Sequence, residues 1–214
     1  MTAGQATDWV DWLDQYDDPT SSLSHRLAVV RGHIRDWLDR TAPEPVTVLS
    51  SCAGDGRDLL PVLAERSDPG RVSATLLEFD SRNVATARAF AEARGLTSVR
   101  VDQVDAGDSS AYVEAAPADL VMLCGIFGNI SDEDIRRMVE TASELCRPGA
   151  RVIWTRHHNP PDLTPRIRQW FADAGFAEHA FDAPPDFPYS LGVHDLVGPP
   201  KPLRTGRRLF TFVR

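Results

Sequence analysis

Three short groups of glycine and acidic residues have the types and the spacing needed to hold a small ligand. Residues 52–57 read Cys-Ala-Gly-Asp-Gly-Arg after an apolar run, and a glycine turn between a strand and a helix lets backbone N–H groups approach a ligand closely. Glu78 ends a second apolar run, where a carboxylate can accept hydrogen bonds from both hydroxyls of a ribose. Asp105 follows a third run and could accept a hydrogen bond from the exocyclic amine of an adenine ring. The dinucleotide fingerprint needs a further glycine where Leu59 stands, so the groups predict a nucleoside site without a diphosphate.

Two adjacent histidines, His157 and His158, are the first candidates for proton transfer. Imidazole titrates near neutral pH and suits general-base work on a hydroxyl or an amine. Because neighbouring side chains at a strand end point in opposite directions, at most one of the two is expected to face a pocket. A histidine that only hydrogen-bonds a loop is an equally good interpretation. His194, in a long predicted loop before the last strand, is the second candidate. No Asp, Glu or Cys stands at ligand spacing around the pair, so no metal site is predicted.

The apolar pattern predicts alternating strands and helices from residue 46 onward. The predicted strands are residues 46–51, 72–79, 98–104, 119–124, 150–155, 176–181 and 208–213, and the predicted helices are 57–66, 82–94, 131–145 and 165–174. Asp80 is interpreted as the N-cap of the second of these helices. Strands separated by helices form right-handed βαβ units. The last two strands are joined by a long connection instead, which indicates an antiparallel strand near an edge. The sequence thus predicts an α/β fold with a doubly wound, mostly parallel seven-stranded sheet, one antiparallel strand and helices on both faces.

An N-terminal helical region precedes the first strand. Residues 7–16 carry Trp9, Trp12 and Tyr16 on one side of a short predicted helix, and residues 22–40 form an amphipathic helix with a serine available as N-cap. These aromatic side chains either anchor the short helix to the core or close over a substrate. Residues 1–44 are accordingly assigned to an N-terminal helical cap and residues 45–214 to the ligand-binding domain.

Five motifs, in the expected order, resemble those of the class I S-adenosylmethionine-dependent methyltransferases over roughly residues 45–214. They are the glycine loop Cys52-Ala53-Gly54-Asp55-Gly56, the ribose-binding acid Glu78, the adenine-contacting pair Asp105-Ala106, the fourth-strand motif Asp119-Leu120-Val121, and Leu145-Cys146-Arg147-Pro148-Gly149-Ala150 before the fifth strand. Each motif is common by chance, whereas five at these separations are specific.

The resemblance implies a Rossmann-like fold, S-adenosylmethionine as cofactor, and methyl transfer to an O, N or C atom of a small molecule. By the same resemblance the cofactor-binding residues are Cys52, Ala53, Gly54, Asp55, Gly56, Glu78, Phe79, Asp105, Ala106, Cys124 and Gly125, and the substrate side is assigned to Trp12, Tyr16, Phe127 and Asn129. The chain departs from the family at Ser50, where an acidic residue is frequent, and at Cys52, where a glycine is frequent. The methionine amino group then needs another acceptor, and Asp55 or Asp58 could serve.

Composition narrows the possible partners and compartment. The formal net charge of -8 disfavours binding to nucleic acid or to an anionic membrane surface. No apolar stretch approaches the roughly 20 residues of a membrane span, and residues 1–16 lack the order of a signal peptide. An odd number of cysteines without a CxxC pair fits reduced thiols in the cytoplasm. The oligomeric state is left open. The alternatives are an enzyme of this fold with other chemistry on the same cofactor, a catalytically silent binding module and, more distantly, a nicotinamide dehydrogenase.

Overall fold

A seven-stranded sheet runs through the centre of the computed structural model, which describes residues 16, 18 and 20–213. Within this part of the chain the strands lie in the order β3-β2-β1-β4-β5-β7-β6, and β7 runs antiparallel to its neighbours β5 and β6. The predicted α/β class, with one antiparallel strand near an edge, is confirmed. The strands are β1 (Val46–Ser51), β2 (Val72–Glu78), β3 (Val99–Gln103), β4 (Ala118–Leu123), β5 (Cys146–His157), β6 (Phe176–Asp182) and β7 (Tyr189–Leu196).

Helices cover both faces of the sheet, because alternate side chains of the central strands point into two separate hydrophobic clusters. One cluster packs β1 and β2 against α1, α2 and α3, and the other packs β4 and β5 against α4 and α5. None of the described helices is both long and apolar enough to cross a membrane. The helices are α1 (Ser22–Thr41), α2 (Leu60–Ala64), α3 (Ser81–Ala93), α4 (Asp132–Leu145) and α5 (Thr164–Asp173).

Side-chain caps fix the starts of three helices next to strand ends or loops. Ser21 caps α1 by accepting a hydrogen bond from the Ser24 backbone N–H. Asp80 caps α3 through the Arg82 N–H, as predicted, and Ser131 caps α4 in the same way. These caps satisfy backbone donors that have no partner within the helix. The residues just before α3 and α4 are therefore held in fixed positions at the same edge of the sheet.

The prediction of the last strand is wrong. Residues 208–213 form only isolated bridges, Asp108 with Arg208 and Ile130 with Phe212. The seventh strand is instead Tyr189–Leu196, which lies inside the long connection predicted between the last two strands. Its flanking prolines, at 184, 185, 188, 199, 200 and 202, all lie outside the strand. Every residue of β7 therefore keeps the N–H that a strand between two others must donate.

Two further boundaries differ from the predicted ones. The helix expected from residue 57 begins at Leu60, because Pro61 lacks an N–H and is tolerated only in the first turn. The Arg57 carbonyl accepts a hydrogen bond from the Arg31 guanidinium instead of from a helical N–H. β5 begins at Cys146 rather than after the Pro-Gly pair, and its register with β4 shifts between Ala118 and Leu120. An irregular pairing of this kind accommodates the extra residues as a bulge.

The C-terminal segment, residues 201–213, crosses the carboxyl edge of the sheet. Leu209 N–H donates to the Gly107 carbonyl at 2.7 Å, and Val213 N–H donates to the Asn129 carbonyl at 2.8 Å. Leu209 and Phe210, which belong to this segment, are buried. The segment thereby links the loop after β3 to the loop after β4.

The N-terminal region is described only in part. The predicted helix at residues 7–16 lies outside the described residues except for Tyr16, and so does Trp12. α1 matches the predicted amphipathic helix, and its buried side chains Val30, Ile34 and Leu38 share a hydrophobic cluster with β1. The division into a cap at 1–44 and a domain at 45–214 stays a prediction.

Candidate active site

A cavity of about 530 Å³ opens at the carboxyl ends of β1, β2, β3 and β4. This is the edge of a doubly wound sheet at which ligands bind, beside the point where the strand order reverses. α1 and the C-terminal segment supply the remaining walls. The lining residues are Tyr16, Arg26, Leu27, Cys52, Ala53, Gly54, Asp55, Arg57, Asp58, Glu78, Phe79, Asp80, Asn83, Val104, Asp105, Ala106, Cys124, Gly125, Arg208, Thr211 and Phe212.

The two glycines of the loop after β1 have different tasks. Both have positive φ, +58° at Gly54 and +75° at Gly56, a conformation that disfavours side chains. A Cβ added to Gly54 would meet nothing within 4 Å, because this residue borders the cavity. A Cβ added to Gly56 would lie 2.6 Å from Leu60 Cδ1 and 2.8 Å from Leu76 Cδ2. Gly54 therefore leaves room for a ligand, whereas Gly56 permits the packing of α2 against β2.

Glu78, at the end of β2, holds two loops together at the cavity wall. One carboxylate oxygen accepts the Gly54 N–H at 2.8 Å, and the other accepts the Asp80 N–H at 2.9 Å. The residue is 8% exposed and lines the cavity. Each carboxylate oxygen can accept a second hydrogen bond. Glu78 is thus able to receive a pair of hydroxyl groups while it maintains the glycine loop.

Asp105, after β3, is fixed from two sides. Its Oδ1 accepts the Gly107 N–H at 2.9 Å, and its Oδ2 accepts a hydrogen bond from Arg208 Nη1 at 2.6 Å. The neighbouring Ala106 carbonyl accepts a hydrogen bond from buried Tyr112, whose hydroxyl also bonds Ser51 at the end of β1. These contacts keep the loop after β3 at a fixed distance from the glycine loop.

Two aromatic side chains border this end of the cavity. Phe79 is 73% exposed and Phe212 is 38% exposed, which is unusual for large apolar side chains. Both belong to the cavity wall. An exposed aromatic face beside hydrogen-bonding carboxylates suits a planar base, because stacking removes apolar surface from water.

The opposite end of the cavity is lined by charged residues and by Cys124. Arg26 of α1 donates a hydrogen bond to the Tyr16 hydroxyl, and the Arg57 guanidinium lies 4.6 Å from the centre of the Tyr16 ring. Burial raises the pKa of Tyr16 and of the Cys124 thiol above their ordinary values. Burial likewise raises the pKa of Asp58 to about 6. The charge of the Asp58 carboxyl therefore changes near neutral pH.

The structure brings most of the predicted cofactor-binding residues together. Every one of them except Gly56 lines the cavity. Of the predicted substrate residues, Tyr16 also lines it. Phe127 is fully buried beside Trp154, and Asn129 donates a hydrogen bond to the Gly125 carbonyl at 2.7 Å. These two residues therefore stabilise the loop after β4 and are not among the residues that line the cavity.

The three predicted histidines are not among the residues that line the cavity. His157 and His158 lie at the end of β5, where His158 Nδ1 is 3.1 Å from Ser190 Oγ. A catalytic role for either of them stays a prediction.

His194 was expected in a loop, and that expectation is wrong because the residue belongs to β7. It pairs with Val152, which lies roughly 16 Å along the strand from the carboxyl end of β5. Its ring stacks on Phe171 at 4.4 Å, and the side chain is 1% exposed. His194 is thus a core residue on the face of α5, remote from the cavity.

Several lining residues escaped the sequence analysis. Their positions depend on how distant segments meet at the sheet edge, which no local pattern reveals. Arg208 and Phe212 fall in the segment wrongly predicted as a strand, and Arg26 falls on a helix whose amphipathic pattern does not show which end reaches the sheet edge. The unassigned lining residues are Arg26, Leu27, Arg57, Asn83, Val104, Arg208, Thr211 and Phe212.

Several solved structures have a similar fold. Magnesium protoporphyrin IX methyltransferase from Synechocystis PCC 6803, with bound S-adenosylmethionine, has a TM-score of 0.65 and 13% identity, over 91% of this chain and 86% of its own. The glycopeptide N-methyltransferase MtfA, complexed with S-adenosylmethionine, has a TM-score of 0.58 and 16% identity, over 78% and 94%. An O-methyltransferase family protein from Burkholderia thailandensis has a TM-score of 0.58 and 18% identity, over 87% and 68%. At these identities the likeness concerns the fold. Three other solved structures with a similar fold are longer, and this chain covers 52–57% of their length.

Sequence comparison identifies the family. No curated protein matches the chain in sequence. The model of a family described as "Putative methyltransferase" matches residues 25–169. The match covers more than half of the chain and confirms the resemblance to methyltransferases noted from the motifs. The chain therefore belongs to this methyltransferase family, and its fold is Rossmann-like.

Proposed function

We propose that the protein transfers a methyl group from S-adenosylmethionine to an O, N or C atom of a small-molecule acceptor. The observation that carries this proposal is the meeting of Gly54, Glu78 and Asp105 around one cavity at the carboxyl edge of the sheet. An open glycine, a buried acid for two hydroxyls and a second acid for an amine are the groups that an adenosine requires. The glycine loop is not suited to a diphosphate, since buried Leu59 stands where the dinucleotide fingerprint has its third glycine.

The residues around the cavity fit the cofactor at both of its ends. Glu78 would hold the ribose, Asp105 with Ala106 would hold the adenine edge, and Phe79 would cover its face. Cys52, Ala53 and Asp55 in the glycine loop and Cys124 with Gly125 after β4 would border the methionine part. Gly54 meets the requirement for close approach, because only open space lies where its side chain would be.

S-adenosylmethionine supplies a sulfonium-bound methyl group that is already electrophilic. The main task of the chain is therefore to align the acceptor with this methyl group and to exclude water. The hydrogen bonds of Glu78 to Gly54 and Asp80 keep the adenosine wall rigid. Tyr16 and Arg26 close the cavity on the side of α1, where an acceptor would enter beside Cys124.

The acceptor is proposed to be a small molecule rather than a nucleic acid. The net charge of -8 supports this, because phosphate binding relies on an excess of basic residues. Trp12 with Tyr16, from the proposed N-terminal cap, would contribute apolar surface to the acceptor site. The three cysteines are free thiols, which supports a reducing cytoplasmic location.

Calorimetry with S-adenosylhomocysteine tests the proposal directly, followed by incubation with S-adenosylmethionine labelled in the methyl group and a panel of small hydroxyl, amine and carbon acids. We expect binding of the homocysteine form and label in at least one acceptor. Binding without any methylated product, but with a cleaved or rearranged cofactor, would favour other chemistry on the same fold. Failure of the protein to bind either form of the cofactor would contradict the proposal.

A further inference from the structure

We propose that Asp58 is the general base of the reaction, and that the acceptor therefore carries a hydroxyl or an amine whose proton must leave. This inference rests on the proposed function and adds the chemical class of the acceptor atom. It is carried by the hydrogen-bond state of the acidic side chains that line the cavity.

Five carboxylates of the described residues line the cavity, and other residues already engage four of them. Asp55 forms a bidentate pair with Arg57, and Glu78 accepts two backbone N–H groups. Asp80 caps α3, and Asp105 is bound by Gly107 and Arg208. These bonds give each of the four groups a structural task in the described part of the chain.

Asp58 differs from these four groups. Its Oδ1 is buried and has no hydrogen-bond partner among the described residues. A buried carboxylate oxygen without a donor is unfavourable, and such a group in a cavity wall is commonly explained by a ligand or a function. Asp58 lines the cavity, so a bound molecule can come close to its carboxyl group.

The position of Asp58 within the cavity favours the acceptor over the adenosine. The groups that face it are Tyr16, Arg26 and Arg31 on the side of α1, Asp55 in the glycine loop, and Cys124 after β4. Glu78 and Asp105 form the other end of the wall. Burial keeps the pKa of Asp58 near 6, so it is a better proton acceptor than an ordinary aspartate and is still ionised at neutral pH.

The proton and electron balance of the step is simple. A lone pair of the acceptor oxygen or nitrogen forms a bond to the methyl carbon, and the carbon–sulfur bond breaks with its electron pair going to sulfur. The sulfonium becomes a neutral thioether. The proton that the acceptor atom loses passes to the Asp58 carboxylate and later to water. If the acceptor atom were a carbon without an acidic proton, the Asp58 carboxylate would have no proton to accept.

Binding of the cofactor analogue sinefungin can distinguish a general base at Asp58 from a purely structural residue. The measurement does not require that the acceptor is known. In this analogue a carbon that bears an amine replaces the sulfonium and its methyl group, so a positive amine lies where the methyl group would be transferred. S-adenosylhomocysteine has the same adenosine and methionine parts but no such amine. The affinities of both ligands are measured by calorimetry for the wild-type protein, for Asp58→Asn and for Asp36→Asn, a matched change at an exposed position of α1.

We expect Asp58→Asn to lower the affinity for sinefungin by about tenfold or more, because a charge-assisted hydrogen bond or close ion contact is lost. Its affinity for S-adenosylhomocysteine should change by less than about threefold, and Asp36→Asn should change neither. Equal weakening of both ligands by Asp58→Asn would overturn the inference, since Asp58 would then bind the methionine amino group. Unchanged affinity for both ligands would also overturn it.

The wild-type protein provides a second measurement that does not depend on folding of the variant. As pH rises from 5 to 7.5 and Asp58 ionises, the affinity for sinefungin should increase about tenfold relative to that for S-adenosylhomocysteine. The ratio cancels the titration of groups that contact both ligands alike. A constant ratio would contradict the inference, whereas failure of the wild-type protein to bind S-adenosylhomocysteine would contradict the proposed function itself.

Discussion

Replacing Glu78 with glutamine tests the construction of the adenosine wall. The carboxylate accepts the Gly54 and Asp80 N–H groups at 2.8 and 2.9 Å. Glutamine keeps one acceptor oxygen, but its amide NH₂ must face one of the two backbone N–H groups, so one hydrogen bond is lost. A hydrogen bond to a charged group contributes about 1.5–3 kcal/mol. We expect the free energy of unfolding to fall by about 2 kcal/mol, equivalent to roughly 4–8 °C in Tm.

The same substitution should also weaken ligand binding. The glutamine amide can accept only one hydroxyl of a ribose, and the loss of the second bond costs about 1–3 kcal/mol. This corresponds to a Kd for S-adenosylhomocysteine that is about 5- to 150-fold higher. Calorimetry measures the Kd, and differential scanning calorimetry measures the Tm.

Glu92→Gln is the matched control, since Glu92 is exposed on α3 and does not line the cavity. It should leave both quantities within error. If the Glu78→Gln protein binds S-adenosylhomocysteine within twofold of wild type, Glu78 does not hold the ribose, whatever the Tm of the variant.

Two further predictions concern the loop glycines and the buried histidine. Gly56→Ala should lower the free energy of unfolding by about 2 kcal/mol or more in urea, because its Cβ would contact Leu60 and Leu76 at positive φ. Gly54→Ala should lower the free energy of unfolding by only about 1 kcal/mol but should weaken the binding of S-adenosylhomocysteine. A larger loss of stability in Gly54→Ala, with weaker binding only in Gly56→Ala, would contradict the roles assigned to the two glycines. Burial lowers the pKa of His194 to about 4, so the folded state resists the proton that the unfolded chain takes up below pH 6.5. Stability should therefore fall as pH drops from 6.5 to 4, by up to about 3 kcal/mol from this residue. His194→Phe should show a smaller loss over that range in urea titrations, and an identical pH dependence in both proteins would contradict the assignment.

The part of the site that could be predicted from sequence lies directly after strands. Gly54, Glu78 and Asp105 each follow an apolar run, and parallel strands bring their carboxyl ends to one edge. Asp80 could likewise be identified as an N-cap, because capping depends on residues within one turn. Such features can be predicted because their geometry depends on residues that are close together in the sequence.

The parts that were missed depend on contacts between distant segments. β7 lacks a continuous apolar run and is surrounded by prolines, so its insertion between β5 and β6 was not visible. The resulting assignment of His194 to a loop followed from that error. Arg208 reaches Asp105 only because the C-terminal segment pairs with the loop after β3. No spacing rule within either segment predicts that approach.

The proposed function requires that the cavity at the ends of β1, β2 and β3 holds the adenosine part of the methyl donor. A crystal structure of the protein with S-adenosylhomocysteine tests it most directly. We expect both ribose hydroxyls within about 3.2 Å of the Glu78 carboxylate, the adenine edge beside Asp105, and the sulfur beside Cys124 and Gly125. A nucleoside bound elsewhere, or a ribose out of reach of Glu78, would contradict it.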